Sequence, residues 1–318
     1  MKAKSNNSLY ASIDEHSPYG GDGGGFASLS ILIPTHDYTC YKLVFDLHEQ
    51  AEALGVPYEI IVAEDGSKAP VTIIANHKIV DLSHCIHYVR KENRGQAATR
   101  NELAEMARYD WILFIDSDAK VDNPTFLSTY LQNIGKAEVI CGGLHHQAVN
   151  YDPNRTLRFK YETEADRHRS AAERSETPYE QLAGFNLLLH KPTFMQIKFD
   201  ADCKEYGYED ALFGVELEKR GISILHIDNP LLHSGLDTNE SFLRKTETAL
   251  RTLKGLHGKM NGRAHIENAY NTVRSWHLVW LVKTLFWLFK RPLRANLLSK
   301  KPSLLLFKLY KLGYYSGL

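Results

Sequence analysis

Short apolar runs alternate with amphipathic stretches along most of the chain. Leu29 to Ile33 is a continuous apolar-rich run that reads as a strand, broken by Pro34-Thr35-His36-Asp37. Leu43, Leu47, Ala51 and Leu54 then fall on one helical face, and Gly55 stops that helix. Glu59 to Ala63 is the next strand, closed by Glu64-Asp65-Gly66-Ser67. Strand, helix, strand in this span predicts a right-handed βαβ unit with parallel strands, which brings Thr35 and Asp65 out at one sheet edge. Ile86 to Val89 is a third short strand, and Asn93-Arg94-Gly95-Gln96-Ala97-Ala98-Thr99-Arg100-Asn101 opens a helix running to about Arg108. Trp111 to Ile115 is short, aromatic and β-branched, the pattern of a strand buried on both faces, and it runs directly into Asp116-Ser117-Asp118. Ligands of open α/β sheets bind at such carboxyl ends.

The second half is less regular. Asn123-Pro124 reads as helix cap and first helical residue, with Gly135 as the stop. Ala137 to Cys141 is a strand. Asn150 to Tyr179 is polar, with a surface helix expected over Tyr161 to Arg174, and is the place for an acceptor-binding insertion or lid. Leu182 to Leu189 is a strand. Gly207-Tyr208-Glu209-Asp210 starts a helix that Gly221 ends; Ile222 to Ile227 is a strand, and Asp228 to His233 a loop. From Glu240 the pattern is helical. The reading is a flexible segment over residues 1–27, an α/β domain over 28–239 and a helical region over 240–318. The glycine run at residues 20–25 lacks GxxxxGK[ST] and a preceding strand, so it reads as a linker.

Composition adds two constraints. The 318 residues are 43% hydrophobic and 24% charged, as in a globular protein. The four cysteines form no CxxC pair, which points to a reducing compartment and away from a structural zinc site. The net charge of zero hides an asymmetry: from Ser241 onward there are 15 Lys and Arg against 2 Asp and Glu, before it 23 against 36. No nucleic-acid partner is expected. No apolar stretch follows Lys2 and Lys4 as in a signal peptide, and no run is long enough to span a bilayer, so a cytoplasmic location is expected. Trp276 to Phe289 is nearly all apolar and is followed by Lys290-Arg291, Arg294 and Lys300-Lys301. Such a segment suits the interface of an anionic membrane or a helix-docking face.

Asp116 and Asp118 are the chemical centre of the sequence. Close carboxylates repel, and a divalent cation with oxygen ligands is their natural partner, although Asp and Ser also make plain turns. The order of motifs is specific: a strand ending in Pro34-Thr35, a strand ending in Glu64-Asp65-Gly66-Ser67, Asn93-x-Gly95-x4-Arg100-Asn101, Asp116-x-Asp118, Gly207-x-Glu209-Asp210 and a late His233. From Leu29 to Thr238 this resembles the family 2 glycosyltransferases of the GT-A fold, inverting enzymes that use nucleotide-sugar donors. His36-Asp37 departs from the family's usual Tyr-Asn, and Glu64 replaces an Asp.

The resemblance implies a mixed α/β sheet flanked by helices, and roles for the matching residues. Pro34, Thr35 and Asp65 would hold base and ribose. Asn93 and Arg100 would face the donor, the Arg100 fork suiting a pyrophosphate. Asp116, with Ser117, would meet the ribose or a metal-bound water. Asp118 would bind Mn²⁺ or Mg²⁺, and His233 would complete the metal shell and favour Mn²⁺. Asp210 would be the general base, with Glu209 supporting acceptor or helix. It further implies a UDP-sugar donor and hexosyl or N-acetylhexosaminyl transfer. A catalytic body with a membrane-seeking tail fits a glycan or lipid-linked glycan acceptor and a role in cell-surface or capsular polysaccharide at the inner face of the cell membrane. His226, inside an apolar strand, reads as structural. Two rivals remain: an inactive sugar-nucleotide scaffold, and a haloacid-dehalogenase-type phosphatase with Asp116 as nucleophile, which has Lys120 where Thr or Val is usual.

Overall fold

A computed structural model describes residues 28–318 apart from residues 148, 150, 151, 202, 204, 205, 257 and 261. The expected flexible segment, residues 1–27, lies outside the described residues.

The first half follows the expected order: β1 (Leu29–Thr35), α1 (Tyr41–Leu54), β2 (Tyr58–Asp65), α2 (Pro70–His77), β3 (Cys85–Arg90), α3 (Gln96–Met106) and β4 (Trp111–Ile115). Gly55 ends α1 in the left-handed conformation, its N–H bonded to the carbonyls of Ala51 and Glu52. Strands β1, β2, β3 and β4 are mutually parallel where they pair, and Thr35 lies in register with Glu64, one residue before Asp65.

Next come β5 (Ala119–Lys120), α4 (Phe126–Leu131), β6 (Val139–Cys141), β7 (Leu144–His146), α5 (Thr156–Asp166), α6 (Ala171–Glu176), β8 (Asn186–His190), α7 (Lys191–Ile197), α8 (Glu209–Lys219), β9 (Ile224–His226) and β10 (Leu231–His233). Three expectations shift. Asn123 does not cap α4 but accepts from the N–H and hydroxyl of Thr125, so the helix starts only at Phe126. The helix expected over Tyr161 to Arg174 is two helices, divided by a capping box between Ser170 and Glu173. His233 lies on a buried strand rather than in a loop.

The main sheet runs β3-β2-β1-β4-β8-β6-β9, with β8 antiparallel to both its neighbours. Alternation along β1 and β2 feeds a core on each face. Leu32, Ile61 and Phe114 pack with Leu103 of α3 and Phe213 of α8. Ile31, Ile33, Ile60 and Leu113 pack with Leu43 and Leu47 of α1 and Phe126 of α4. A second, three-stranded sheet runs β5-β10-β7.

The chain ends in α9 (Asn239–Gly255), α10 (His265–Ser275), α11 (Val279–Leu297) and α12 (Leu304–Gly317). The division expected at residue 240 has no counterpart in the packing. Leu250 and Leu253 of α9 belong to the same core as Phe114 and Phe213. The extension proper is the α11–α12 hairpin, tied to α5 and α9 through Leu157, Phe242, Leu243, Leu297, Phe307 and Tyr310. Its two helices touch at Gly313, where an added Cβ would lie 2.4 Å from Cδ2 of Phe286. Gly313→Val should therefore wedge the hairpin open and cost about 1–3 kcal/mol. Chemical denaturation measures this; an unchanged midpoint would show that the helices are not closely coupled.

Candidate active site

The sheet topology carries the chemistry to one edge. Thr35, Asp65 and Asp116 leave the carboxyl ends of the parallel strands β1, β2 and β4 side by side. The antiparallel β8 begins there, so Gly184 and Phe185 arrive at the same edge, with the carbonyl of Phe185 accepting from the N–H of Asp116 at 3.1 Å. The N-terminus of α8 adds Glu209 and Asp210. A cavity of about 630 Å³ opens between them. Pro34, Thr35, Asp65, Asn93, Asp116, Ser117, Asp118, Glu209, Asp210 and His233 all line it.

Arg100 takes a different position from the donor-facing one expected. Its side chain is 1% exposed, and both terminal nitrogens of its guanidinium face carboxylates. Nη2 donates to Oδ1 of Asp116 at 2.7 Å and Nη1 to Oδ1 of Asp210 at 3.1 Å, with Glu209 at 3.8 Å. Its guanidinium also lies over the Phe199 ring. Gly184 permits this arrangement: a Cβ there would meet Oδ1 of Asp210 at 2.6 Å and Cζ of Arg100 at 2.8 Å. Arg100 therefore ties the Asp116 strand end to the α8 acidic pair.

Electrostatics within the cluster are uneven. Burial raises the pKa of Asp116, with Asp118 and Asp210 adding to the rise and Arg100 opposing it. Burial, then Asp210, pushes Glu209 up to about 7, again against Arg100. Asp210 has both oxygens held, Oδ1 by Arg100 and Oδ2 by the N–H of Gly184 at 2.9 Å, yet its side chain stays 29% exposed to the cavity.

Asp65 is an anchor as well as a wall. Its carboxylate accepts from Arg90 at 2.7 Å and from the N–H groups of Arg94 and Gly95, each at 2.9 Å. This holds Asn93 at the cavity. Gly66 allows the loop to close, because a Cβ on it would meet the backbone N of Asn93 at 2.3 Å. Alternation turns Glu64 to the other face of β2, where it accepts from Asn76 at 2.7 Å.

Strand register builds the other wall. In the small sheet His233 is paired with Ala119 on one side and His146 on the other. Asp118 precedes Ala119, so Nε2 of His233 comes to 2.9 Å from Oδ2 of Asp118. Its Nδ1 lies 3.0 Å from Nε2 of His146, whose Nδ1 donates to Asp166 at 2.9 Å. Asp118, His233, His146 and Asp166 thus form a line running from the cavity into α5. His226 is structural, accepting from Arg174 and donating to the carbonyl of Pro178.

This geometry fits a divalent cation only in part. Asp118 and His233 offer an oxygen and an imidazole nitrogen at one point of the wall, and His146 with Asp166 orients the imidazole from behind. Among the described residues no group of three or more His, Cys, Asp or Glu is arranged to hold a metal. A cation here would need substrate oxygens to complete its shell, as is usual for ions that bridge phosphates.

The match between the sequence and a known family now has a structural counterpart. Residues 30–197 match the family model described as glycosyl transferase family 2. The chain belongs to glycosyl transferase family 2. The architecture is the GT-A fold. Among solved structures, a mannosyltransferase from Pyrobaculum calidifontis in complex with GDP-Man and Mn²⁺ aligns with a TM-score of 0.50 at 12% identity, over 77% of this chain and 68% of that one. Mannosyl-3-phosphoglycerate synthase from Rubrobacter xylanophilus aligns with a TM-score of 0.51 at 14% identity, over 75% of this chain and 76% of that one. At such identities the likeness is one of fold. No curated protein sequence matches the chain.

The cavity of this glycosyltransferase also holds residues that no motif announced. Gln96 donates to Asp116 at 3.1 Å. Arg158, Arg169 and Lys245 bring positive charge, each held by a carboxylate: Arg158 and Lys245 by Asp237, Arg169 by Asp166. They sit on or beside α5 and on α9, in the polar excursion and beyond residue 240, where the sequence carries no fixed spacing to mark them.

Two outcomes follow from the charge cluster. Arg100→Met leaves the partly buried carboxylates of Asp116, Glu209 and Asp210 without their cation and should cost about 2–4 kcal/mol at neutral pH in urea unfolding, with part recovered toward pH 5 as the acids protonate. Equal losses at both pH values would contradict the ion-pair role. Glu209 sits near 7 in the fold against an ordinary 4.5, so the native state holds the extra proton between these values. Its contribution is therefore lost as pH rises from 4.5 through 7. Glu209→Gln removes that loss, and should gain about 2 kcal/mol relative to wild type between pH 5 and pH 8. A pH-independent difference would refute the raised pKa.

Proposed function

We propose that this glycosyltransferase moves a sugar from a nucleotide diphosphate to a hydroxyl acceptor with inversion. The observation that supports it is the facing of Asp210 and the Asp116–Asp118 strand end across one cavity, linked by Arg100. The nucleotide lies over Pro34, Thr35, Asp65 and Asn93, and the diphosphate reaches Ser117 and Asp118. Asp116, held by Arg100 and Gln96, positions this edge. Lys245, Arg158 and Arg169 line the cavity, and they would meet an anionic donor there. Asp118 and His233 would hold Mn²⁺ or Mg²⁺, which would neutralise the departing diphosphate.

Asp210 then takes the proton of the acceptor hydroxyl. The acceptor oxygen bonds the anomeric carbon as the bond to the diphosphate breaks, and a single displacement inverts that carbon. Arg100 and the N–H of Gly184 keep Asp210 aimed. Glu209, pushed up to about 7 by burial and then by Asp210, lies beside it at the start of α8.

The favoured donor is a UDP-sugar, on the family pattern of residues at the nucleotide end; hexosyl and N-acetylhexosaminyl groups are both candidates. A fold neighbour was solved with GDP-Man and Mn²⁺, which makes guanine the alternative base. The acceptor in this reading is a glycan or lipid-linked glycan used in surface polysaccharide assembly.

A thermal-shift panel of UDP- and GDP-sugars with Mn²⁺, followed by measurement of released nucleotide, tests the reading. One donor should raise the melting temperature by mass action, and chelator should abolish turnover. Asp210→Asn should keep the donor shift and lose about 10²–10⁴-fold in turnover. Wild-type turnover in that variant would remove Asp210 as base, and full turnover in chelator would remove the cation.

A further inference from the structure

The α11–α12 hairpin carries a surface that the transfer chemistry does not use. From residue 268 to Leu318 the sequence has no Asp or Glu and nine Lys and Arg. Trp280 and Trp287 lie two turns apart on α11 and are 65% and 78% exposed. Trp276, Leu288, Phe289, Leu305 and Leu309 are also exposed. Between the helices runs an open groove of about 500 Å³ lined only by apolar residues, among them Val282, Leu285, Phe289, Pro292, Leu306 and Leu309. Leu285, Phe289 and Leu309 are both groove walls and exposed side chains, so the groove opens onto that outer surface. Lys283, Lys290, Arg291, Lys300, Lys301 and Lys308 are exposed around it.

We infer that this hairpin seats the enzyme on an anionic phospholipid surface. The exposed rings and the groove enter the acyl boundary, and the surrounding Lys and Arg meet lipid phosphates. Charge complementarity selects this occupant. A second copy docking hairpin on hairpin would bring the same cations and no carboxylate from residues 268–318. Spanning is excluded for α11: its 19 residues include Lys283, Lys290, Arg291 and Arg294, and no helix among the described residues is long and apolar enough to cross a membrane. The placement also serves the cavity. The hairpin packs on α5 and α9, whose Arg158 and Lys245 line the cavity, so the seat holds the site close to the lipid surface. The inference rests on the hairpin alone and stands whether or not the transfer reading holds.

Co-sedimentation of the full chain with vesicles tests it, using phosphatidylcholine alone and a mixture with phosphatidylglycerol. Binding is expected only to the anionic mixture, weakening as salt rises. Replacing Lys290, Arg291 and Lys301 by Gln should weaken it about 100-fold. Trp280→Ser with Trp287→Ser should abolish it while leaving the melting temperature and any donor-induced shift intact, which shows that the variant is folded. Failure of the wild type to bind anionic vesicles, equal binding to both vesicle types, or self-association that buries the tryptophans without lipid would each overturn the inference. Lipid binding without any nucleotide shift would support it while failing the transfer reading.

Discussion

Arg100 is buried to 1% and donates to both Asp116 and Asp210, two residues that reach the site by unrelated routes. One ends a parallel strand; the other opens a helix far along the chain. Taking several carboxylates out of water is costly unless a cation shares the site, and the guanidinium is the cation whose planar fork engages two of them at once. Much else is arranged to permit this. Gly184 has no side chain to intrude, Phe199 covers the guanidinium face, and Gly184 also donates its N–H to the far oxygen of Asp210. The same cluster explains why Glu209, buried beside Asp210 and only 3.8 Å from Arg100, is pushed up to about 7.

The opposite wall depends on register. A shift of β10 by one residue against β5 and β7 would turn His233 away from Asp118 and break its link to His146. Few residues are involved, since each of these strands is two or three residues long. Their positions are held instead by what they connect: β5 follows the central strand directly, and Asp118 is clasped by Ser234 through its carbonyl at 3.0 Å. Gly235 passes so close to Asp118 that a Cβ would lie 2.1 Å from its carboxylate. The carboxylate is thus fenced on one side and open only toward the cavity.

Site and hairpin share their supports. Helices α5 and α9 present polar residues to the cavity on one side and Leu157, Phe242 and Leu243 to the hairpin on the other. The hairpin surface and the cavity are therefore mechanically close.

What the sequence by itself determined is the part that obeys local rules. Short continuous apolar runs marked β1, β2 and β4, a helical apolar face marked α1, and right-handed crossover placed Thr35 and Asp65 on one edge. The acidic motifs were legible because their spacing within the chain is itself constrained by strand ends and helix starts. What only the tertiary structure decided are the contacts between distant segments. Arg100 read as a donor-facing cation, but its partners lie 16 and 110 residues away, and no local pattern shows that they converge. His146, Asp166, Arg158 and Lys245 stood outside every motif for the same reason: pairing in the small sheet brings in His146, and the helices α5 and α9 bring in the others, by packing between distant segments rather than by neighbouring residues.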